Sequence, residues 1–385
     1  MKTRMDWILF GTVLALLCFG LVMVYSASAA TVELRYARFH WPSYHFLQRQ
    51  AVAALAALPI MILLARCDYR KMRSSQVAFG ALSMVVTSLI AVYFLDPKNH
   101  RWIDLPGLPP LQPSELAKPA LIVFLAWFIS ERRDWINNRH TLWPTAVVMA
   151  FLASGVLAAD LGTAVVLMAV AVTVLLLAGL SRKHCLTGLA VGLVCVTAAI
   201  AWKPYRLFRV LEFYDPDYKI LSKIDPGRKM LGYAKSGSRV SDPLYQAEQS
   251  VVAIGAGGAT GVGPGKSRQK LLFLPEAHTD FIFSIAAEEF GLIGSGGLLL
   301  AFCVIFWRGA RQYRLAQDDF GRYLAIGVTT AICFQAMLNI SVALALVPTK
   351  GFTLPLVSYG GSSLLATMIM LGMLLSVSQR SVRPA

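Results

Sequence analysis

The sequence predicts an all-α polytopic membrane protein, and two observations support that prediction. Of the 385 residues, 56% are hydrophobic and only 15% are charged, whereas soluble domains carry about 25% charged residues. The apolar residues also gather in long runs, most of them close to the roughly 20 residues that a helix needs to cross a bilayer. Because the charged residues cluster between these runs, we expect a single transmembrane domain over residues 1–385 instead of several soluble domains.

Ten of the apolar runs are predicted to span the membrane. They cover residues 7–29, 51–65, 77–95, 116–129, 143–159, 164–180, 186–202, 281–307, 323–346 and 363–377. One large polar segment, residues 203–280, separates the seventh run from the eighth. Since ten is an even number, both termini are expected on the same side of the membrane.

The formal net charge of +15 comes mainly from Lys and Arg in the short loops between runs, near residues 66–73, 132–139, 182–184 and 308–314. Cytoplasmic loops of membrane proteins carry such an excess of basic residues. We therefore predict that these loops and both termini are cytoplasmic and that segment 203–280 is extracytoplasmic. The basic charge is interpreted as topology and contact with anionic lipid. No basic-aromatic motif indicates nucleic-acid binding.

Asp280 is the first candidate functional residue, because it stands where the large polar segment meets the eighth apolar run. An ionisable group at a membrane boundary is costly to keep there, which favours a functional role. His278 lies two residues earlier, and the pair resembles a fragment of a metal site, although a lone His is more often structural. Ser284 is also near, but the chain lacks the G-x-S-x-G elbow of a hydrolase.

Further charged residues stand at the predicted outer ends of apolar runs. They are Arg101, Glu115, Lys118, Asp160, Glu276, His278 and Lys350. Such groups usually pair and face a bundle interior or a water-filled cavity. Glu115 and Lys118 are three residues apart, so they share one helix face. Two interpretations stay open for this pair, a structural link between helices and a part of a site, whereas the inner pair Glu288 and Glu289 is interpreted as structural.

A glycine-rich run at residues 255–265, followed by Lys266, suggests a phosphate-binding loop. The spacing of G-x-x-x-x-G-K-S fails, because Thr260 stands where the first glycine is required. We expect a hinge or re-entrant loop instead. Its backbone N–H groups, together with Lys266, Arg268 and Lys270, could still hold an anionic diphosphate.

Several motifs over nearly the whole chain resemble the SEDS family (shape, elongation, division, sporulation) of bacterial envelope proteins. The matching stretches are GLVMVYSAS at 20–28, RWI at 101–103, QPSELAK at 112–118, DLGT at 160–163, YQ at 245–246, QS at 249–250, AIG at 253–255, SRQKLLFLPEAHTDFIF at 267–283 and LPLVSYGGSS at 354–363. The chain looks most like the FtsW branch of the family. SRQK and PEAH fit that branch better than the RodA branch, where the equivalents read more like TQS and PERH.

The resemblance implies a peptidoglycan glycosyltransferase that polymerises lipid II, a disaccharide-pentapeptide on undecaprenyl diphosphate. It implies that the protein is a multi-pass protein of the bacterial cytoplasmic membrane, that it works at the outer face of this membrane, and that it is located at the division septum. The implied partners are lipid II, a class B penicillin-binding protein that cross-links the strands, and other division-complex membrane proteins. The resemblance implies Asp280 as the essential acid. The substrate-binding candidates are Arg101, Trp102, Glu115, Lys118, Asp160, Lys266, Arg268, His278, Lys350, Ser362 and Ser363. Residues 218–243 are a departure from the family and look like an insertion.

The implied reaction requires removal of a proton from the attacking sugar hydroxyl and stabilisation of the leaving diphosphate. Our hypothesis makes Asp280 the general base. Arg101, Lys118 or Lys350, with a divalent cation (Mg²⁺ or Mn²⁺) at Asp280, would neutralise the diphosphate. Two alternatives stay open: a lipid II flippase, since buried charges also suit alternating access, and a non-catalytic division scaffold.

Overall fold

The structure is a computed structural model that describes residues 5–96, 101–104, 110–202, 204–214 and 243–381. Within these residues the regular secondary structure is helical, apart from one isolated antiparallel bridge between Ile103 and Leu111. The predicted all-α class is therefore confirmed. The insertion expected at 218–243 lies, apart from Pro243, outside the described residues.

Twelve α-helices lie in the described part of the chain. They are α1 (Trp7–Arg35), α2 (His45–Arg66), α3 (Ser75–Leu95), α4 (Pro113–Ser130), α5 (Arg139–Ala159), α6 (Leu161–Leu177), α7 (Arg182–Trp202), α8 (Pro204–Tyr214), α9 (Pro243–Gly257), α10 (Ile282–Leu315), α11 (Asp319–Ala343) and α12 (Gly361–Arg380). Eight of them, α1 to α5 and α10 to α12, are long and apolar enough to cross a membrane. Helix α6 is apolar but has only 17 residues.

The predicted runs underestimate several helices at their polar ends. Helix α1 continues to Arg35, about two turns past the predicted end, and α2 begins at His45, before its apolar run. A hydropathy run ends at the first polar residues, whereas a helix continues for as long as its backbone hydrogen bonds do. The extra turns carry polar and aromatic side chains beyond the apolar cores of the spans.

The basic loops that follow the apolar runs meet at one end of the bundle. Ion pairs join them there: Arg70 to Asp318 (3.4 Å), Arg73 to Glu131 (3.0 Å), Arg133 to Asp319 (2.9 Å) and Arg380 to Asp68 (3.4 Å). Asp6, which caps α1, also receives the buried guanidinium of Arg308 at 2.7 Å. These contacts place the loops after α2 and α4, the start of α11 and the end of α12 at the same end.

Helices α4, α11 and α12 form the centre of the bundle, since most of their side chains are buried. Helix α12 approaches α2 closely because residue 372 is a glycine. A Cβ there would lie 2.8 Å from the Met61 carbonyl oxygen. In a membrane the hydrophobic effect does not drive helices together, so their association depends on close packing. Small residues at the contact let the helix backbones approach each other.

Helix α10 is broken at Gly291, which has φ 63° and ψ −158°. The hydropathy pattern that predicts the eighth span, residues 281–307, does not show this break. The N–H groups of Leu292 and Ile293, released by the break, donate to the carbonyls of Gly258 (2.9 Å) and Ala259 (3.2 Å). Backbone groups at membrane depth need such partners because lipid supplies none.

The same loop also supplies hydrogen-bond donors to the backbone carbonyls before the break. Val262 N–H donates to the Glu288 carbonyl and Gly263 N–H donates to the Glu289 carbonyl, both at 3.0 Å. The glycine-rich run therefore packs into the interruption of α10. Two of the N–H groups that were considered for anion binding are already used by the helix.

Candidate functional site

The candidate site is a cavity of about 610 Å³. Its lining comes from α2, α4, α6, α11 and the first turn of α12. The segment around 101–112, the stretch before α10 and the loop before α12 complete it. Among the predicted site residues, its lining includes Arg101, Trp102, Glu115, Asp160, Asp280, Ser362 and Ser363. These residues are up to 262 positions apart in sequence, from 101 to 363, and the fold brings them to one place.

Asp280 is half-buried and directly precedes the start of α10. Its N–H donates to the Glu276 carbonyl at 3.0 Å. The carboxylate lies against the backbone of Gly351, where a Cβ would be 2.5 Å from Asp280 Oδ2. Glycine at position 351 therefore gives the carboxylate room at the cavity wall.

Glu115 and Lys118 form a buried ion pair in the first turns of α4. Lys118 Nζ lies 2.7 Å from Glu115 Oε2 and donates to Gln335 Oε1 at 2.6 Å. Gln335 in turn donates to the carbonyl oxygen of Thr353 at 2.9 Å. Glu115 and Gln335 line the cavity, whereas Lys118 lies behind them. The pair is thus a link between helices and, through Glu115, a part of the cavity wall.

Asp160 lies between α5 and α6 and caps α6, accepting from Gly162 N–H (2.9 Å) and from the Thr163 hydroxyl (2.7 Å). Lys350 Nζ is 3.5 Å from Asp160 Oδ1. Burial acts to raise the pKa of Asp160, but the charges of Lys350 and Arg101 together with these hydrogen bonds lower it below its ordinary value. The ionised carboxylate therefore holds Lys350 near the cavity.

Trp102 and the two serines shape the cavity through neighbouring contacts. The Arg101 guanidinium lies 5.4 Å from the centre of the Trp102 ring. Ser362 Oγ donates to the Pro110 carbonyl at 2.8 Å and accepts from Gln112 N–H at 2.9 Å. Ser363 Oγ is 2.8 Å from the Thr353 hydroxyl. The serine hydroxyls thus tie the loop before α4 and the loop before α12 to one another.

His278 is buried behind the cavity and does not line it. Its ring packs against Phe46 (4.6 Å between ring centres) and Tyr359 (5.7 Å). Burial lowers the pKa of His278; nearby Glu276 opposes this and Arg35 adds to it. Through these ring contacts the imidazole serves as a packing partner for the loop that carries Asp280.

Lys266 and Arg268 are exposed and lie outside the lining of the cavity. Lys270, the third cation of the proposed diphosphate cradle, is buried and pairs with Glu289 at 2.8 Å. The backbone N–H of Arg268 donates to Glu288 Oε1 at 2.9 Å. The SRQK stretch therefore binds the two glutamates of α10, and the structure does not bring its cations to the cavity.

Sequence reasoning missed several cavity residues. They are Arg49, Asp96, Asp104, Gln112, Thr163, Gln335, Thr353 and Tyr359. Gln335 carried a usable signal, because a polar side chain inside an apolar run is a functional candidate. Arg49 carried no such signal. It comes after the polar connection between α1 and α2 and looks like an ordinary polar residue near a helix start. Its exposure to the cavity depends on where α2 packs.

Among the described residues, no group of three or more His, Cys, Asp or Glu side chains could hold a metal ion. Mg²⁺ is commonly held by one or two carboxylates together with substrate phosphates. Asp280 as a single protein ligand is compatible with this arrangement.

Comparisons with known proteins agree with this architecture. Residues 6–383 match the family described as cell cycle protein, which takes its name from FtsW, RodA and SpoVE. A relative in Geobacter metallireducens, named probable peptidoglycan glycosyltransferase FtsW, is 38% identical over 98% of this chain and 95% of its own length. Stage V sporulation protein E of Bacillus subtilis is 34% identical over 99% of this chain and 98% of its own.

Solved structures give the same result. A chain of a peptidoglycan synthase complex, solved to study the coordination of polymerization and crosslinking, superposes with a TM-score of 0.75 at 28% identity over 99% of both chains. The rod shape determining protein RodA of Thermus thermophilus superposes with a TM-score of 0.66 at 26% identity over 99% of both chains. The resemblance drawn from the motifs is confirmed, and the chain belongs to the FtsW/RodA/SpoVE family of multi-pass membrane proteins.

Proposed function

We propose that this chain is a peptidoglycan glycosyltransferase that polymerises lipid II at the outer face of the cytoplasmic membrane during cell division. The observation that carries the proposal is the cavity, whose lining combines Asp280, just before an apolar helix, with Arg49 and Arg101. Relatives named peptidoglycan glycosyltransferase FtsW, similar over 98% of this chain, support the same reaction.

In this reaction the 4-hydroxyl oxygen of one sugar forms a bond to the anomeric carbon of another. The bond from that carbon to undecaprenyl diphosphate breaks, and the transition state has oxocarbenium character, as in glycoside hydrolysis. The proton of the attacking hydroxyl needs an acceptor within hydrogen-bond reach. We assign that role to Asp280, because this acid lines the cavity and lies just before the N-cap of α10.

The leaving diphosphate needs cations that reach the cavity. Arg101 and Arg49 line it directly, and Lys350 is near it through Asp160. Lys118 is engaged by Glu115 and Gln335, so we assign it to holding the wall. A bound Mg²⁺ or Mn²⁺ at Asp280 would add charge neutralisation of the diphosphate. Lipid tails would lie between the apolar helices that surround the cavity.

The proposed topology has ten spans, both termini in the cytoplasm and one large extracytoplasmic segment at 203–280. Its support is the eight helices long enough to cross a membrane, to which we add α6 and α7. The ion-paired basic loops at one end of the bundle are assigned to the cytoplasmic side. The cavity then opens on the other side, where lipid II is used.

We further propose that a class B penicillin-binding protein is the partner and that the pair works at the septum with other division proteins. The similar chain from a peptidoglycan synthase complex supports an assembly of this kind. The relatives named FtsW support the division role.

The test is polymerisation of purified lipid II in detergent by the chain together with its penicillin-binding protein. We expect glycan strands from the wild-type complex and none from Asp280→Asn, which keeps the shape of the side chain and removes the base. Asp134→Asn is the matched control, because Asp134 is exposed and outside the cavity. An Asp280→Asn complex that polymerises at the wild-type rate would disprove the base assignment.

The same assay separates the alternatives. Detergent leaves no bilayer across which a lipid could be flipped, so glycan strands made there rule out a pure flippase. If the chain is a scaffold without catalytic activity, neither the wild-type complex nor the Asp280→Asn complex would make strands. A strain that carries Asp280→Asn would then divide normally.

A further inference from the structure

Asn339 of α11 is fully buried and lies outside the lining of the cavity, yet it contacts the segment that carries Asp280. Its side-chain amide N–H groups donate to the carbonyl of Asp280 at 2.8 Å and to the carbonyl of Phe352 at 2.5 Å. Only the NH₂ end of the amide can bond two carbonyl oxygens, so the acceptors themselves determine the orientation of the side chain.

Both acceptors belong to backbone that adjoins the Asp280 carboxylate. One is the carbonyl of Asp280 itself, and the other follows Gly351, whose backbone borders the carboxylate. Asn339 therefore fixes the distance between the backbone that carries the carboxylate and the backbone that packs against it. A side chain that joined only one of these segments would leave the other free to move away.

One helical turn earlier, Gln335 holds the next residue of the same loop. It donates to the carbonyl of Thr353 at 2.9 Å and to its hydroxyl at 3.0 Å. Residues 335 and 339 share one face of α11. The loop at 351–353 is thus held at successive residues by one helix, and that helix also contacts the start of α10 through Asn339.

We propose that Asn339 is a positioning residue for Asp280, which acts by setting where the carboxylate meets the attacking hydroxyl. The inference rests on the proposed glycosyltransferase function. Asn339 does not touch substrate, since it does not line the cavity. A misplacement of about 1 Å at a reacting group can reduce a rate on the order of 10²-fold, so a small change in this loop has a large expected effect.

The test compares three variants in the complex with the penicillin-binding protein, with rates of lipid II polymerisation expressed per folded, monodisperse protein. Asn339→Leu keeps the approximate size and removes both donors. Gly351→Ala acts from the opposite side, because its Cβ would press on the Asp280 carboxylate. Thr329→Val is the control: Thr329 is fully buried in the same helix, and its hydroxyl donates to the Ala325 carbonyl at 2.7 Å, one turn earlier in that helix.

We expect kcat to fall on the order of 10²-fold in Asn339→Leu and in Gly351→Ala, while KM for lipid II stays within about twofold. Thr329→Val should keep both constants within about twofold of the wild type. A residue that merely supported the fold would reduce the amount of folded protein without changing kcat per folded molecule. The kcat per folded molecule, measured beside an unchanged KM, is therefore the decisive measurement.

If Asn339→Leu does not fold, Gly351→Ala alone decides, because it changes a loop and not the buried helix. If the wild-type complex is active and Gly351→Ala has the same kcat as the control variant, the positioning inference is wrong. The proposed function is then unaffected. A wild-type complex that makes no glycan overturns both.

Discussion

Two buried lysine–glutamate pairs have nearly the same geometry and very different surroundings. Lys118 lies 2.7 Å from Glu115, and Lys270 lies 2.8 Å from Glu289. The first pair opens to the cavity through Glu115. The second pair is enclosed by the SRQK stretch and the hydroxyl of Ser26, which donates to Glu289 at 2.7 Å.

The comparison teaches that a buried charge in a membrane protein is not by itself a site. Both pairs satisfy the need of a charge at membrane depth for a partner. Only the pair at the cavity can be reached by a substrate. The enclosed pair joins α10, just before its break at Gly291, to the SRQK stretch, so its role is to stabilise the bundle.

The largest effect is expected when the enclosed pair loses its cation. Lys270→Met leaves Glu289, which is 1% exposed, as a buried charge without its ammonium partner. Removal of one member of a buried pair costs about 3–5 kcal/mol. Thermal unfolding in detergent, followed by size-exclusion chromatography, should show a large loss of stability.

The double variant Lys270→Met with Glu289→Gln tests the cause of that loss. It removes both charges, so part of the stability should return. A double variant as unstable as Lys270→Met alone would mean that the loss comes from packing and not from the unpaired carboxylate.

The cavity pair should respond in activity more than in stability. Lys118→Met frees Glu115 and removes the contact that orients Gln335, but Glu115 can be solvated from the cavity. We expect lipid II polymerisation to fall about 10²-fold, equivalent to about 2.7 kcal/mol, with a smaller decrease in thermal stability than in Lys270→Met. Equal losses of stability in the two variants would contradict the distinction between an open and an enclosed pair.

The region around the enclosed pair can be destabilised at the break in α10. Gly291 has a positive φ, and a Cβ there would overlap the backbone of Gly261 and Ala259. We expect Gly291→Ala to destabilise the protein by about 1–3 kcal/mol. Gly296→Ala on the same helix is the control, because a Cβ there meets nothing within 4 Å. Similar melting temperatures for the two variants would disagree with the strain argument.

The smallest effect is expected at Asp160, and it depends on pH. Its pKa is lowered in the folded protein, so the stabilising contribution is present above the unfolded pKa, about 3.9, and is lost as pH falls through the folded pKa. Asp160→Asn should keep the helix cap and lose about 1 kcal/mol of pairing with Lys350 at pH 7. The difference in melting temperature between variant and wild type should shrink as the pH is lowered below about 4. A difference that stays constant with pH would argue against the ion pair.

Much of the site could be predicted from the sequence because its residues stand in short, recognisable contexts. Asp280 marks the start of an apolar run, and Glu115 and Lys118 share a helix face by their spacing. Arg49 and Asn339 could not be found in this way. Arg49 looks like any polar residue near the start of a helix. The value of Asn339 depends on two carbonyls that only folding brings near it.

The SRQK cations were expected near a diphosphate for a comparable reason. Their charge and the neighbouring glycines were visible in the sequence, but their partners were not. Glu288 and Glu289 lie about 20 residues further along the chain, and the broken helix presents them to this stretch. A local pattern identifies a charged group without identifying which opposite charge will neutralise it.

The sequence by itself determined the all-α membrane class and the family, and it singled out Asp280, just before α10, as the candidate acid. These follow from hydropathy, charge distribution and local motifs, which act over distances shorter than one span. Only the tertiary structure decided which charges share the cavity, which are enclosed, and where α10 breaks. Those outcomes depend on contacts between helices far apart in the chain, because each buried charge and each freed backbone group takes the partner that packing places beside it.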